Sequence, residues 1–135
     1  MDANVNNPAT QYRQLDVQTS VHNASPHELV EMLFQGLRER LNQARGYIEH
    51  GNVEGRTDAL NASVEILIGL QASLDHGKGG DVAANLESLY DYMQRRLFRA
   101  NADNDGAAVS EVADLVQTLQ SAWMAIATTA DAQVG

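Results

Sequence analysis

The sequence predicts an all-α protein, an antiparallel up-down four-helix bundle. Apolar residues recur at three- and four-residue steps along four stretches of the chain, and no stretch alternates apolar and polar side chains as a half-buried strand does. Both prolines, Pro8 and Pro26, lie outside the interiors of the predicted helices. Short turns rich in glycine or asparagine join the four stretches, which is typical of antiparallel neighbours in a bundle.

The first predicted helix begins in the segment ASPHELV. Ser25 is a suitable N-cap, Pro26 takes the first helical position, where its missing N–H costs nothing, and Glu28 lies three residues after the cap, as in a capping box. Gly51 is placed to cap the end of the helix. The apolar stripe between these two ends consists of Leu29, Leu33, Leu37, Leu41, Ala44 and Ile48.

Similar stripes predict the other three helices. The second is expected to end at His76-Gly77 with Gly77 as its cap, and the segment GKGGD is expected to form a turn. Asp105 is the expected N-cap of the fourth helix, whose apolar residues have the spacing of a heptad seam. The three stripes are Leu60, Val64, Leu67, Leu70 and Leu74; Val82, Leu86, Leu89, Tyr90, Met93 and Leu97; and Val112, Val116, Leu119, Trp123, Ile126 and Ala130.

The chain is expected to form one domain, because 135 residues suffice for a single core. Residues 25–130 are assigned to the bundle. Residues 1–24 are rich in Asn, Gln, Thr and Ser and cannot bury enough surface to fold alone, so this N-terminal segment is expected to be partly disordered or docked on the bundle. Residues 131–135 are expected to form a short disordered tail.

Charge and composition narrow the classes of partner. The formal net charge is −9, and the 9 basic residues are scattered among 18 acidic ones without forming a stripe. Binding to nucleic acid or to an acidic membrane surface is therefore disfavoured. The chain has no cysteine, no recognisable secretory leader and no apolar run long enough to span a bilayer. A cytoplasmic protein without membrane insertion is expected.

The motifs that suggest chemistry are all incomplete. NADNDG, residues 101–106, resembles the start of a calcium loop, but Val112 stands where a bidentate Glu is required. No histidine follows a Glu by three residues, so a di-metal centre is not indicated, and His27 is interpreted as a solvated first-turn residue. GKGGD lacks the Gly-Lys-Ser/Thr ending of a phosphate loop. Neither catalysis nor a cofactor or metal is expected.

Adjacent apolar residues give the first and third helices more apolar surface than one core face requires. Pairs such as Leu33-Phe34 and Leu97-Phe98 cannot face the same way. The surplus is either covered by the chain's own N-terminal segment or left as a groove for a partner, while core packing stays the alternative for each residue. The residues predicted to bind a partner are Tyr12, Leu15, Val21, Leu33, Phe34, Leu37, Tyr47, Leu89, Tyr90, Met93, Leu97 and Phe98.

Several motifs occur in order between Tyr12 and Trp123: ASPHELVEMLFQGL, the helix end IEHGN, LQASLDHGKGGDVAANLESLYDYMQRRL, AN followed by ND, and AW. Together they resemble the flagellin export chaperones, the FliS family. The resemblance implies a cytosolic chaperone that binds the C-terminal segment of flagellin, prevents its premature polymerisation and delivers it to the flagellar type III export apparatus. It also implies that Tyr12 and Val21 belong to an N-terminal segment lying over the bundle.

A second hypothesis is a structural or regulatory module that dimerises through the heptad seam of its fourth helix. The two hypotheses differ in oligomeric state. The chaperone is expected to be a monomer or a weak homodimer that binds its client, whereas the module is expected to be a stable homodimer.

Overall fold

The computed structural model describes the backbone of residues 24–134 and the side chains of residues 24–126. Within this range the chain forms four helices and no strand, which confirms the predicted all-α fold. The helices are α1 (Pro26–Glu49), α2 (Val53–Ala72), α3 (His76–Asp103) and α4 (Gly106–Val134). Each packs against its neighbour in the chain, and α4 closes the bundle against α1. None of these helices combines the length and apolarity needed to cross a membrane.

Hydrogen bonds between helices show that neighbours run antiparallel. Arg56 near the start of α2 donates to Asn101 near the end of α3, with Nε and Oδ1 2.9 Å apart. At the other end of this pair, Gln71 Nε2 donates to the backbone oxygen of Glu87. The indole N–H of Trp123, late in α4, reaches the backbone oxygen of His27 at the start of α1. An up-down connection of the four helices accounts for all three pairings.

Local signals set the ends of α1. Ser25 is the N-cap: its Oγ accepts a hydrogen bond from the Glu28 N–H at 3.1 Å and donates one to Glu28 Oε1 at 3.2 Å. At the other end Gly51 has a φ of 69°. The N–H groups of Gly51 and Asn52 bond to the carbonyls of Ile48 and Tyr47, a Schellman arrangement. Glycine takes this left-handed conformation without a steric penalty, so the chain can turn tightly into α2.

The connection between α2 and α3 differs from the sequence-based expectation, and the assignment of Gly77 as a helix cap is wrong. Helix α2 ends at Ala72, and Asp75 caps α3 by accepting a hydrogen bond from the Lys78 N–H at 3.0 Å. Gly77 therefore lies in the first turn of α3. The break expected within GKGGD falls at Gly80, whose φ of 49° and ψ of −123° interrupt the helix.

Asp105 acts at the start of α4, where its Oδ1 accepts a hydrogen bond from the Ala108 N–H at 3.2 Å. Asn104 before it takes a left-handed conformation at the end of α3. Helix α4 then continues to Val134, so it occupies most of the range that the sequence assigned to a tail, 131–135. The predicted properties of the N-terminal segment fall on residues 1–23, outside the described range.

The core lies along the bundle axis and takes residues from every helix. Apolar burial of this kind stabilises a fold by about 25 cal/mol for each Å² removed from water. One buried hydroxyl, that of Ser63, is satisfied by donating to the Ala59 backbone oxygen at 2.8 Å. The large apolar side chains with at most 1% exposure are Leu37, Leu41, Leu60, Leu67, Leu70, Met93, Leu97, Val109, Val112 and Val116.

A polar cluster ties α3 to α4 at the surface. Glu111 on α4 accepts hydrogen bonds from the Tyr92 hydroxyl at 2.5 Å and from Arg96 Nε at 2.9 Å, and it forms an ion pair with Arg96 Nη2 at 2.6 Å. The bond from Tyr92 and then that from Arg96 hold the pKa of the Glu111 carboxyl below its ordinary value. The ionised form of Glu111 is therefore favoured in the folded protein.

We expect Glu111→Gln to lower the free energy of unfolding at neutral pH and to have less effect in acid. A pKa lowered by folding contributes stability that is present above the unfolded-state value and is lost as pH falls through the folded-state value. Urea denaturation between pH 7 and pH 3 measures the difference from wild type. Glu65→Gln, on an exposed position of α2, is the control. A difference of equal size at pH 7 and pH 3 would contradict the expectation.

Candidate functional site

An apolar cleft lies at the end of the bundle where α1 begins. It consists of two adjoining cavities of about 690 and 500 Å³. Val30, Ser73 and Trp123 line both cavities, so the two adjoin each other at these residues. We refer to the two together as the end cleft. Clefts of this size and apolar lining are the usual binding sites for apolar groups of a ligand or partner.

The walls of the first cavity come mainly from the first two turns of α1. This helix carries apolar residues on more than one face, and only part of this surface reaches the core. Phe34 is 2% exposed, whereas the neighbouring Leu33 is only partly buried and lines the cavity. The apolar lining from α1 and α4 consists of Pro26, Leu29, Val30, Met32, Leu33 and Trp123.

The second cavity lies between α1, the start of α3 and the later part of α4. Val82 and Leu86 of α3 line it, as do Leu119 and Ile126 of α4. Two of these residues remain well exposed, Val82 at 66% and Ile126 at 55%. Large apolar side chains left in water beside an apolar cavity indicate a surface that binds a partner.

His27 and Trp123 meet at the junction of the two cavities. Their rings stack with centroids 4.3 Å apart and planes inclined by 7°. The Trp123 Nε1–H donates to the His27 backbone oxygen at 3.1 Å. The ring nitrogen Nε2 of His27 is buried and has no hydrogen-bond partner among residues 24–134. These contacts join the first turn of α1 to α4.

A second groove, of about 450 Å³, runs between α2 and α3. Phe98 is its most prominent apolar residue, because 74% of its side chain is exposed. Leu60 and Val64 supply apolar surface from α2, and Arg95 and Arg99 flank Phe98 on α3. We refer to this surface as the Phe98 groove.

The described residues hold no cluster that suggests catalysis or metal binding. No group of three or more His, Asp or Glu side chains between residues 24 and 126 is close enough to bind a metal ion. The polar residues of NADND instead make hydrogen bonds between helices: Asn101 Oδ1 accepts from Arg56 Nε and from Thr57 Oγ1, and Asn104 Oδ1 accepts from Arg56 Nη1. Burial raises the pKa of Tyr90, at the floor of the second cavity, which favours its neutral form.

Comparison with known proteins assigns the chain to a family. The family model described as flagellar protein FliS matches residues 8–130. The chain belongs to the FliS family. A flagellar secretion chaperone FliS from Salmonella typhimurium is 45% identical over 123 residues, which cover 90% of this chain and 91% of that protein. FliSB from Pseudomonas aeruginosa is 39% identical over 113 residues, covering 84% and 90% of the two chains.

More distant relatives bear the same description. FliS from Bacillus subtilis is 33% identical over 119 residues, which cover 88% of this chain and 85% of that protein. These relatives are flagellar secretion chaperones by name. This FliS family member is accordingly a chaperone and not an enzyme.

Five of the residues predicted to bind a partner are buried in the core instead. Helical periodicity places each of them on the inward face of its helix, so in this conformation they offer a partner little or no surface. Phe34 and Tyr90 form the floor of the second cavity at 2% and 3% exposure, and the other three are fully buried. The five residues are Phe34, Leu37, Tyr90, Met93 and Leu97.

The remaining predicted residues are distributed over separate regions. Leu33 lies in the end cleft and Phe98 in its own groove, whereas Leu89 is partly buried against the core. Tyr47 lies near the opposite end of α1, where a Cβ added at Gly55 would lie only 2.6 Å from its ring, so it packs between α1 and α2. Three predicted residues lie outside the described range: Tyr12, Leu15 and Val21.

Sequence reasoning missed the role of the His27 and Trp123 pair. His27 was expected to be solvated, but its ring is stacked and partly buried. A signal was available, because an antiparallel pairing of α1 with α4 brings the end of the heptad seam beside the first turn of α1. The residue types alone do not show that the two rings stack, since this depends on the crossing of the two helices.

We expect Gly80→Ala to destabilise the protein by about 1–3 kcal/mol, because its backbone conformation is strained for any residue with a Cβ. Gly46→Ala is a matched substitution inside α1, where an added Cβ meets nothing within 4 Å. It should instead stabilise the protein by up to about 1 kcal/mol. Urea denaturation of both variants measures these effects. Equal effects of the two substitutions would show that Gly80 is not required for the interruption of α3.

Proposed function

We propose that this chain is a cytoplasmic export chaperone for flagellin, which it holds by its C-terminal segment in the end cleft. Binding in this way prevents premature polymerisation and keeps the client competent for delivery to the flagellar type III export apparatus. The observation that carries the proposal is the apolar end cleft in a member of a family of flagellar secretion chaperones.

The chemistry of the cleft suits an apolar segment of a partner better than a small polar substrate. Its walls are aliphatic and aromatic, and its polar groups are few. A client that covers several hundred Å² of apolar surface gains on the order of 10–20 kcal/mol before costs. Ordering a flexible client costs about 2–5 kcal/mol or more, and association has its own cost. The balance supports a complex that forms at micromolar concentration or below and can still dissociate.

The Phe98 groove gives the same client a second contact. It lies between α2 and α3, whereas the end cleft lies against α1 and α4. A flexible segment that wraps around the bundle can fill both without a single long rigid helix. The exposure of Phe98 supports this arrangement, because it lies beside apolar surface from Val64 in the same groove and does not stand alone.

The N-terminal segment, residues 1–24, is proposed to cover the end cleft when no client is bound. The described chain starts immediately beside this surface, since Pro26 and His27 are part of the first cavity. A covering segment lowers the affinity for the client by the free energy of its own docking. Tyr12, Leu15 and Val21 are the apolar residues that this role would use.

The dimerisation module is less well supported, because the heptad seam of α4 is already used inside the bundle. Val112 and Val116 are fully buried, and Leu119 and Trp123 pack against the core. Only Ile126 among the described seam residues is well exposed. A stable coiled-coil dimer needs several consecutive layers of such residues on the surface.

We expect the full-length chain to bind a peptide from the flagellin C-terminus with 1:1 stoichiometry. Calorimetric titration measures affinity and stoichiometry, and light scattering measures the mass of the free protein and of the complex. Because burial of apolar surface drives the binding, its heat capacity change should be negative. A stable homodimer that ignores the peptide would favour the dimerisation module and refute the chaperone.

Deleting residues 1–20 should increase the fluorescence of a dye that binds apolar surfaces, without weakening binding of the flagellin peptide. The physical reason is that the deletion removes a competitor for the end cleft and leaves α1 intact. Dye titration and calorimetry on both forms measure the two effects. Unchanged dye fluorescence together with lost peptide binding would show that the segment is part of the client site and not its cover.

A further inference from the structure

The His27 and Trp123 pair lies between the two cavities of the end cleft. Its geometry determines which surface of the indole a client can contact. Trp123 lines both cavities, and one face of its indole is covered by the imidazole of His27. That face of the indole is therefore inaccessible to any partner as long as the two rings are stacked. If the indole left the imidazole, both of its faces and the surfaces of the two cavities would be available to the same segment.

In the free protein, the stack of His27 on Trp123 has both favourable and unfavourable contributions to its free energy. Aromatic stacking favours it, and so does the hydrogen bond from the indole N–H to the His27 backbone oxygen. Against this, the stacked position leaves His27 Nε2 buried with no partner among the described residues. A buried polar atom without a hydrogen bond destabilises the arrangement that buries it, and this offsets much of what the stack contributes.

Separation of the rings also requires little rearrangement of the fold. His27 lies in the first turn of α1, where the helix has just begun, and Trp123 lies beyond the fully buried seam residues of α4. The core positions Val112 and Val116 lie about three and two turns earlier in α4. The indole is only partly buried where it packs against the edge of the core, so its side chain can rotate while these fully buried residues stay packed.

We propose that Trp123 leaves His27 when the client binds, so that the two cavities become one groove, and that His27 thereby sets the affinity for the client. The inference rests on the proposed function, since the client is the flagellin C-terminal segment. A client side chain then takes the face of the indole that the imidazole covered. His27 Nε2 regains access to water or to a polar group of the client.

The sole tryptophan of the chain makes the movement observable. Titration of the full-length protein with the flagellin C-terminal peptide should change the Trp123 emission in parallel with the heat measured by calorimetry. His27→Ala removes the stacked ring, so the emission of this free variant should lie closer to that of the peptide-bound wild type. Its affinity for the peptide should equal or exceed that of wild type.

His27→Phe supplies the opposite change. Phenylalanine keeps a ring against Trp123 but removes the unpaired nitrogen, so the stack of the two rings becomes more stable. We expect a thermal midpoint at least as high as that of wild type and a roughly tenfold weaker affinity for the peptide, within the usual range of conformational coupling. His50→Phe, at the opposite end of α1, is the control and should leave the affinity within twofold of wild type. Far-UV circular dichroism confirms that each variant is folded.

The outcomes separate the inference from the proposed function. Peptide binding with an unchanged Trp123 emission, or affinities of His27→Phe and His27→Ala both within twofold of wild type, would overturn the inference and leave the chaperone function intact. Absence of peptide binding to the wild-type protein would refute the proposed function itself, and the inference with it. Weaker peptide binding by His27→Phe, undiminished binding by His27→Ala and a change in the Trp123 emission together support the inference.

Discussion

The structure depends on one geometric constraint: two adjacent residues of a helix cannot both face the same core. In α3 this constraint places Met93 and Leu97 in the interior, while their neighbours Tyr92 and Phe98 are turned to the surface at 37% and 74% exposure. A helix whose apolar residues all lay on one face could bury nearly all of them in the core. Here the doubled positions leave apolar surface that the bundle itself cannot bury, and this surplus lines both the end cleft and the Phe98 groove.

The end cleft arises where the four helices stop sharing one packed interior. The buried residues of α1 begin at Phe34, about two turns after the helix starts, so its first turns have no complete partner layer. In the same region Gly80 interrupts α3, and residues on both sides of the interruption, Lys78 and Val82, line the cleft. An irregular start of a helix thus creates concave surface without loss of the core, which lies farther along the bundle.

Much of the fold could be predicted from the sequence, because the signals that determine it are local. The periodic stripes of apolar residues predicted the four helices. Ser25, Gly51 and Asp105 predicted three of their boundaries, because each acts through hydrogen bonds made within a few residues. The α2–α3 connection was misplaced because two signals competed there. Gly77 could end α2, whereas Asp75 could begin α3. The structure uses the second signal, because Asp75 is the N-cap of α3.

The binding surface was less predictable, because it depends on contacts between residues far apart in the chain. The doubled positions identified which helices have surplus apolar surface, but not which member of each pair is turned outward. In Leu33-Phe34 the second residue is the buried one, whereas in Leu97-Phe98 it is the first. The stack of His27 on Trp123 joins residues 96 positions apart, and only the packing of α4 on α1 determines it.

A chaperone of this kind needs a stable fold and a client that can leave, and the division of apolar residues makes both possible. A dissociation constant near 1 μM corresponds to about 8 kcal/mol, comparable to the whole stability of a typical domain. If the same side chains formed the core and held the client, release would compete with unfolding. Most residues of the end cleft are instead separate from the buried core, although Phe34 and Tyr90 belong to both. Under the proposed function, affinity for the client can therefore change at Leu33 or Val82 without a loss of the packing that keeps the bundle folded.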